Sequence, residues 1–190
     1  MQTTRVLLAS ILTVLWIAPA SAAKKCGTER WDVKTLSDAA ASDVKSTVVH
    51  TTVASLNKLP NRCSSIPKDR DTDIEETLYE VVGKITFAAH EADRDIHLGI
   101  QDLNPPKRTM IVEIADPTCP GAKDSTYLSR FKTVRTKFTD DVLGDGSYDD
   151  LVGTKVRVRG VAFYDRSHKQ NGKAKNCLEL HPVLDIEEIP

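Results

Sequence analysis

The chain has 190 residues, with 26 Lys and Arg against 27 Asp and Glu, so its formal net charge is −1. Such a balance gives no overall attraction to nucleic acid or to acidic lipid, and any electrostatic binding surface must be local. Only 5% of the residues are aromatic, which counts against a reader of single-stranded nucleic acid, because such proteins stack bases on aromatic side chains.

Residues 1–22 have the pattern of a cleavable secretory signal peptide. Arg5 precedes an apolar stretch at 6–19, and the small residues Ala-Ser-Ala follow at 20–22. The apolar stretch is short for a membrane span, and no other stretch of the chain is long and apolar enough. We therefore expect a secreted or periplasmic protein that starts at Ala23 and has no integral membrane segment. The alternative is an uncleaved N-terminal anchor.

Residues 23–73 are predicted to form an N-terminal extension. Ser37 precedes an alanine run and can start a short helix. Residues 48–54 are rich in β-branched side chains and can form a strand. A segment of this size is marginal for a core of its own, so we expect it to pack on the rest of the chain.

Five later segments have strand character. In the second of them, Ile96, Leu98 and Ile100 alternate with polar residues, which predicts that these three side chains face a core. The same two-residue period and β-branched composition recur in all five. The predicted strands are residues 78–87, 95–101, 109–114, 155–164 and 178–186.

The period changes between the third and fourth strands. Apolar residues there stand three to four apart, which predicts an amphipathic helix that starts at Asp124 or Ser125 and ends at Gly144. The residues of the apolar stripe are Leu128, Phe131, Val134, Phe138 and Val142.

Three strands, a helix and two strands is the element order of the OB-fold, a five-stranded Greek-key barrel that binds oligonucleotides and oligosaccharides. We therefore predict a mainly β protein with an OB-like barrel at residues 74–190. In this fold the first and fourth barrel strands pair, and the apolar stripe of the helix should close the barrel.

The four cysteines are Cys26, Cys63, Cys119 and Cys177, and their spacing matches no paired zinc-ligand motif. In an exported protein an even number of cysteines predicts two disulfides. Three pairings are possible and the spacing does not choose between them. A bond from Cys26 or Cys63 to Cys119 or Cys177 would tie the extension to the barrel.

Five segments of the chain carry a family resemblance: residues 29–35, 93–98, 110–119, 160–168 and 178–183. They resemble a family of secreted bacterial proteins with no assigned activity, and the resemblance covers nearly the whole chain after residue 22. It implies a compartment and an OB-like barrel but no catalytic residues. Cysteines near Cys26 and Cys119 are part of the resemblance, which implies that these two pair and leaves Cys63 with Cys177.

Two surfaces are candidates for ligand binding. The loop between the last two strands is basic, which suits a polyanion, although a solvated hairpin tip has the same composition; its residues are Arg166, His168, Lys169, Lys173 and Lys175. The outward face of the second to fourth strands is polar and can hydrogen-bond a sugar or a base edge, although an ordinary wet barrel face would also be polar; its residues are His97, Gln101, Glu113, Arg157 and Arg159.

The sequence contains no strong motif for a metal or a catalytic centre. His97, Asp165, His168 and His181 are suitable metal ligands but have no ligand-type spacing, so we predict no metal site and no cofactor. Asp93 and Asp95, with the two arginines at 157 and 159, are the residue types of a metal-dependent nuclease without its motif. The sequence predicts a binding or interaction module for a polyanion or an oligosaccharide. The alternatives are a metal-dependent nuclease or related hydrolase and a structural envelope protein.

Overall fold

The computed structural model describes residues 25–71, 73–103, 108–166 and 169–190. The predicted signal peptide and His168 lie outside the described residues. Within the described ranges, no helix has the length and apolar character needed to cross a membrane.

The described residues form six strands and a few short helices, and the five predicted barrel strands are all present. The strands are β1 (Val48–Thr51), β2 (Leu78–His90), β3 (Ile96–Asp102), β4 (Thr109–Ile114), β5 (Lys155–Tyr164) and β6 (Leu178–Glu188). The α-helices are α1 (Trp31–Lys34), α2 (Val53–Leu56) and α3 (Leu128–Lys137). Single turns of 3-10 helix cover Ala39–Asp43 and Tyr148–Leu151, and a π-helical turn over Phe138–Leu143 continues α3.

Strands β2 to β6 close into an OB-fold barrel. The strand order in the sheet is β1-β2-β3-β4-β6-β5, and β2 also pairs with β5, which joins the two ends of the five-stranded part. β4 and β6 are parallel, whereas the other barrel pairs are antiparallel. The predicted fold class and the predicted pairing of the first and fourth barrel strands are therefore confirmed.

The barrel core is built from the inward residues of the alternating strands. Ile96, Leu98 and Ile100 are buried in it, as their alternation predicts. Val134, Phe138 and Val142 from the helical segment belong to the same cluster. The apolar stripe of this segment therefore closes the barrel only in part, because Leu128 and Phe131 are not in that cluster.

The same helix also holds the N-terminal extension. Phe131 packs in a second buried cluster with Leu36, Ala41 and Val44, and Leu128 is only half-buried. The Ser125 hydroxyl donates to the Leu36 carbonyl at 2.8 Å. One stripe of α3 thus contacts two apolar clusters, which an isolated periodicity does not reveal.

The extension adds a strand and two short helices to the barrel. The predicted strand is β1, which runs parallel to β2 at the edge of the sheet. The predicted helix after Ser37 is the 3-10 turn Ala39–Asp43. The Asp102 carboxylate at the end of β3 accepts from the first-turn amides of Val53 and Ala54 at 2.8 and 2.7 Å. A barrel residue therefore caps the N-terminus of α2, where backbone N–H groups lack partners within the helix.

Two disulfides join the extension to the barrel. Cys26 bonds to Cys119, just after β4, and Cys63 bonds to Cys177, just before β6. The prediction of two disulfides is confirmed, and the pairs are those that the family resemblance implies. Disulfides persist in oxidising compartments, and secretion itself stays a prediction.

We expect no free thiol in the protein, because all four cysteines are paired. The check is thiol labelling of the unfolded, unreduced protein followed by mass spectrometry. Reduced protein is the positive control and should take four labels. Labelling of two or more cysteines without reduction would contradict the disulfide assignment.

Candidate functional site: a buried ionic cluster beneath Trp31

The segment around α1 lies on the outer face of the barrel. Arg30 holds it there, since its guanidinium contacts both carboxylate oxygens of Glu75 at 2.8 Å and donates to the Tyr164 carbonyl at 2.9 Å. Glu75 is buried and also accepts from the Tyr164 amide at 2.7 Å. Arg30 and Lys34 both lie over the Phe163 ring, at 4.7 and 5.3 Å from its centroid. These contacts direct Lys34 onto the sheet.

His97 and Glu113 are directly opposite each other on β3 and β4 and point away from the barrel core. The sequence correctly places them on the outer face. The alternative interpretation, an ordinary wet barrel face, does not hold at these two residues, because His97 is only 1% exposed and Glu113 only 3%. The α1 segment and the loop before β6 cover them.

Lys34 is the cation at the centre of this covered face. Its Nζ lies 3.7 Å from Glu113 Oε2, 3.9 Å from Asp165 Oδ1 and 4.0 Å from Glu179 Oε1. Burial alone would lower the pKa of Lys34, but the surrounding carboxylates, Glu113 first among them, raise it above its ordinary value. Lys34 is therefore charged and acts as the counter-ion of the cluster.

His97 and Glu113 form a second ion pair within the cluster. His97 Nδ1 lies 3.0 Å from Glu113 Oε1, and His97 Nε2 lies 2.9 Å from the Asn171 carbonyl. Both partners are acceptors, so both ring nitrogens are satisfied only when the imidazole is doubly protonated. Burial opposes that charge, but the hydrogen bond to Glu113 raises the pKa of His97.

Glu113 stays ionised despite its burial. Burial favours the protonated carboxyl, but the charge of Lys34 and the hydrogen bond from His97 lower the pKa of Glu113 to about 2. Its neighbour Glu179 shows the opposite shift. Burial and the nearby Glu113 charge raise the pKa of Glu179 well above its ordinary value.

His181 and Asp95 complete the cluster, and neither has measurable solvent exposure. His181 Nε2 lies 3.1 Å from Asp95 Oδ2 and 3.3 Å from Glu113 Oε2. Burial and the Lys34 charge lower the pKa of His181 to about 3, so the ring is neutral. Burial and the charge of Asp93 raise the pKa of Asp95 well above its ordinary value. The cluster thus combines neutral and charged groups at close range.

A cavity of about 400 Å³ opens above the cluster. Lys34, Glu113 and Asp165 reach it from below, and the Trp31 ring forms part of its wall. The Trp31 indole N–H donates to the Pro120 carbonyl, and a side chain at Gly27 would collide with the ring. Two lysines and five carboxylates line the cavity: Lys25, Lys34, Glu29, Glu91, Asp93, Glu113 and Asp165.

The basic loop before β6 folds back over the barrel. Gly172 has a φ of 85°, and a Cβ on it would lie 2.8 Å from the Gly99 Cα, so only glycine fits this approach. Asn57, the residue after α2, holds the backbone of Lys175, because its side-chain oxygen accepts from the Lys175 amide at 3.3 Å. Arg166 pairs with Glu29 at 2.6 Å. Lys169 is exposed and Lys173 partly so.

The other predicted ligand-binding residues lie apart from the cavity. Arg157 pairs with Glu187, and Arg159 pairs with Glu80 at 2.5 Å, across the β2–β5–β6 surface. Gln101, at the far end of β3, pairs in register with Thr109. None of the three is among the described residues that line the cavity. The two arginines therefore do not join Asp93 and Asp95 in a nuclease-like arrangement.

Sequence reasoning placed His97 and Glu113 on the outward strand face but missed Lys34, Trp31 and Glu179. A lysine in a helical turn is ordinarily a surface residue, and no local pattern marks this one as buried. The sequence offered only a weak indication for Trp31, namely that it is the only tryptophan after residue 22.

Comparisons with known proteins give little further information. No protein-family model matches the chain, and no curated protein matches it. A solved structure described as an aspartyl-tRNA synthetase from Leishmania major Friedlin matches with 7% identity and a TM-score of 0.38 over 76% of this chain and 21% of that one. The OB4 domain of the yeast telomere protein Cdc13 matches with 14% identity and a TM-score of 0.35 over 76% and 87%. We assign the fold from its strand order and pairing, and the resemblance to secreted bacterial proteins stays a prediction.

Proposed function

We propose that the protein is a binding module that takes a neutral oligosaccharide in the cavity beside Trp31. The observation that carries this proposal is the combination of an aromatic wall with several carboxylates around one opening of about 400 Å³. Cavities of roughly 300–1,000 Å³ are the usual size for small ligands. An indole face packs against the C–H face of a sugar ring, and carboxylates accept hydrogen bonds from its hydroxyls.

The charge of the cavity favours a neutral sugar over a polyanion. Carboxylates outnumber lysines along its wall, and Lys34 is already the counter-ion of Glu113, Asp165 and Glu179. A phosphate or sulfate group placed there would face net repulsion, because five carboxylates line the wall against only Lys25 and Lys34.

Titration with neutral trisaccharides, followed by calorimetry, tests the proposal. We expect one of chitotriose, cellotriose or maltotriose to bind, and Trp31→Ala to weaken it about ten-fold or more, because about 1.5–3 kcal/mol of ring burial is lost. Trp31→Phe should keep part of the affinity.

Gln101→Ala is the matched control, since Gln101 lies on the same barrel face but outside the cavity. Its affinity should equal that of the unmodified protein. Loss of binding in Gln101→Ala but not in Trp31→Ala would place the sugar on the open sheet instead. No binding of any trisaccharide would contradict the cavity proposal.

The basic loop supports a second candidate function, binding of an anionic polymer. The Arg166 side chain is 71% exposed even in its ion pair with Glu29, and Lys169 is exposed beside it. Binding of these basic side chains to an anionic polymer would release counterions from the polymer backbone.

Heparin binding measured at several salt concentrations tests this candidate. Replacing Arg166, Lys169, Lys173 and Lys175 by Ala should weaken binding and flatten its salt dependence, because fewer anionic contacts release fewer counterions. Stability should change by only about 0.5 kcal/mol, as for most exposed substitutions. Salt-insensitive or absent heparin binding by the unmodified protein would leave the lysines as solubility features.

A further inference from the structure

Three buried side chains converge on one point beneath the cavity. Asp95 immediately precedes β3, Glu113 lies on β4 and His181 on β6, so the barrel topology brings together residues from distant parts of the chain. One ligand atom from each lies within 4.8 Å of the other two. His181 Nε2 is the central atom, at 3.1 Å from Asp95 Oδ2 and 3.3 Å from Glu113 Oε2.

Neighbouring groups orient both carboxylates toward this point. The Asp116 amide donates to Asp95 Oδ1 at 2.8 Å, which leaves Oδ2 facing His181. His97 donates to Glu113 Oε1 at 3.0 Å, which leaves Oε2 facing His181. Metal ligands in proteins are commonly fixed in this way, with one atom held by an outer donor and another turned to the ion.

We propose that Asp95, Glu113 and His181 bind a divalent transition-metal ion such as Zn²⁺ or Mn²⁺. Zinc–nitrogen and zinc–oxygen bonds of about 2.0–2.2 Å put the ligands of a four-coordinate ion roughly 3.3–3.5 Å apart. The observed separations from His181 Nε2 are close to these values. One imidazole and two carboxylates suit zinc and manganese, and the absence of thiolate from the set disfavours Cu(I).

The cavity gives the ion a route and a further coordination position. Glu113 is both a member of the ligand set and part of the cavity floor. An ion there can take its remaining ligands from water or from a molecule in the cavity. The inference does not depend on sugar binding, because the ion is measured without any sugar present.

The charge of Lys34 allows a second test, in which a substitution should tighten metal binding rather than weaken it. Its ammonium is 3.7 Å from Glu113 Oε2 and repels an ion bound to that oxygen. Removing the charge in Lys34→Met should therefore tighten metal binding, by at least about ten-fold. A cation bound loosely at surface carboxylates would not respond in this way.

The first experiment uses the protein with both disulfides formed and with metal removed by EDTA. Zn²⁺ and Mn²⁺ are titrated by calorimetry, with Mg²⁺ as a hard-cation comparison. We expect one equivalent of Zn²⁺ or Mn²⁺ with a dissociation constant in the micromolar range or tighter. Substoichiometric Mn²⁺ should broaden the His181 ring resonances and leave those of His50 sharp, because His50 lies beside Glu80 at the other end of β2.

Variants then assign the ligands. Asp95→Asn and His181→Gln should each weaken binding at least about ten-fold, because losing a ligand costs at least as much as losing an outer-shell group that orients one. His50→Gln is the matched control, because it removes a surface imidazole that also lies beside a carboxylate, Glu80, at 2.8 Å. Its affinity should be unchanged. Circular dichroism and thermal melts establish which variants fold.

Three results would overturn the inference: no uptake of Zn²⁺ or Mn²⁺ at one equivalent by the unmodified protein, broadening of the His50 resonances by Mn²⁺ without broadening of those of His181, or unchanged metal affinity in a folded His181→Gln. The first two need no variant, so the inference can fail even if both buried substitutions prevent folding.

Discussion

Replacing Lys34 by Met should lower the free energy of unfolding by about 3–5 kcal/mol at pH 7, the usual loss when one partner of a buried ion pair is removed. Lys34 is the cation shared by Glu113, Asp165 and Glu179. Methionine fills a similar volume without the charge. The loss of stability therefore measures the cost of leaving the buried carboxylates without their counter-ion. Chemical denaturation followed by circular dichroism measures it.

The loss should shrink as the pH falls. Glu113 has a folded pKa of about 2 against an ordinary value of 4.5, so its contribution is present above pH 4.5 and is lost as the pH falls toward 2. Without Lys34 the folded pKa of Glu113 rises toward or above its ordinary value, and that contribution is missing at every pH. The two proteins should therefore differ most near neutrality and least in acid.

Lys25→Met is the matched control, because Lys25 lines the same cavity but is exposed. Its effect should stay within about 0.5 kcal/mol. A difference between Lys34→Met and the unmodified protein below about 1 kcal/mol, or one that does not vary with pH, would show that the ionic cluster contributes little to stability.

The barrel was predictable because its signals are local. The alternation of Ile96, Leu98 and Ile100 records which face of one strand is buried, whatever covers the other face. The helical stripe likewise identified Val134 and Phe138 as core residues. The same stripe could not show that Phe131 belongs to a second cluster with Leu36, since that cluster depends on where the extension lies.

The ionic cluster was not predictable because its burial is not local. His97 and Glu113 have the outward positions of a half-exposed sheet, and only the α1 segment and the loop before β6 remove them from solvent. The position of Lys34 depends on Arg30 reaching Glu75, 45 residues away, and the Tyr164 carbonyl, 134 residues away. The pairing of Cys26 with Cys119 was the best available indication that the extension lies near this face, because it places the start of the extension beside the end of β4.

Replacing Cys26 and Cys119 by Ser should lower the free energy of unfolding by about 2–5 kcal/mol, as expected for a bond that closes a long loop. The bond spans 93 residues, and the Cys63–Cys177 bond spans 114. Because the entropic effect grows only with the logarithm of loop length, Cys63→Ser with Cys177→Ser should cost about the same. Denaturant titrations of the two double variants compare them directly.

The two variants should differ in the native state, where only the first frees the segment that carries Trp31 and Lys34. In a chain that begins at Ala23, Trp31 is the only tryptophan, so its fluorescence reports this segment alone. We expect a red-shifted emission maximum and easier quenching by acrylamide without Cys26–Cys119, because the indole then loses its place against Gly27 and the Pro120 carbonyl. The native fluorescence spectrum of the variant without the Cys63–Cys177 bond should match that of the unmodified protein. Identical spectra for both variants would show that the Arg30–Glu75 contact holds the segment without the disulfide.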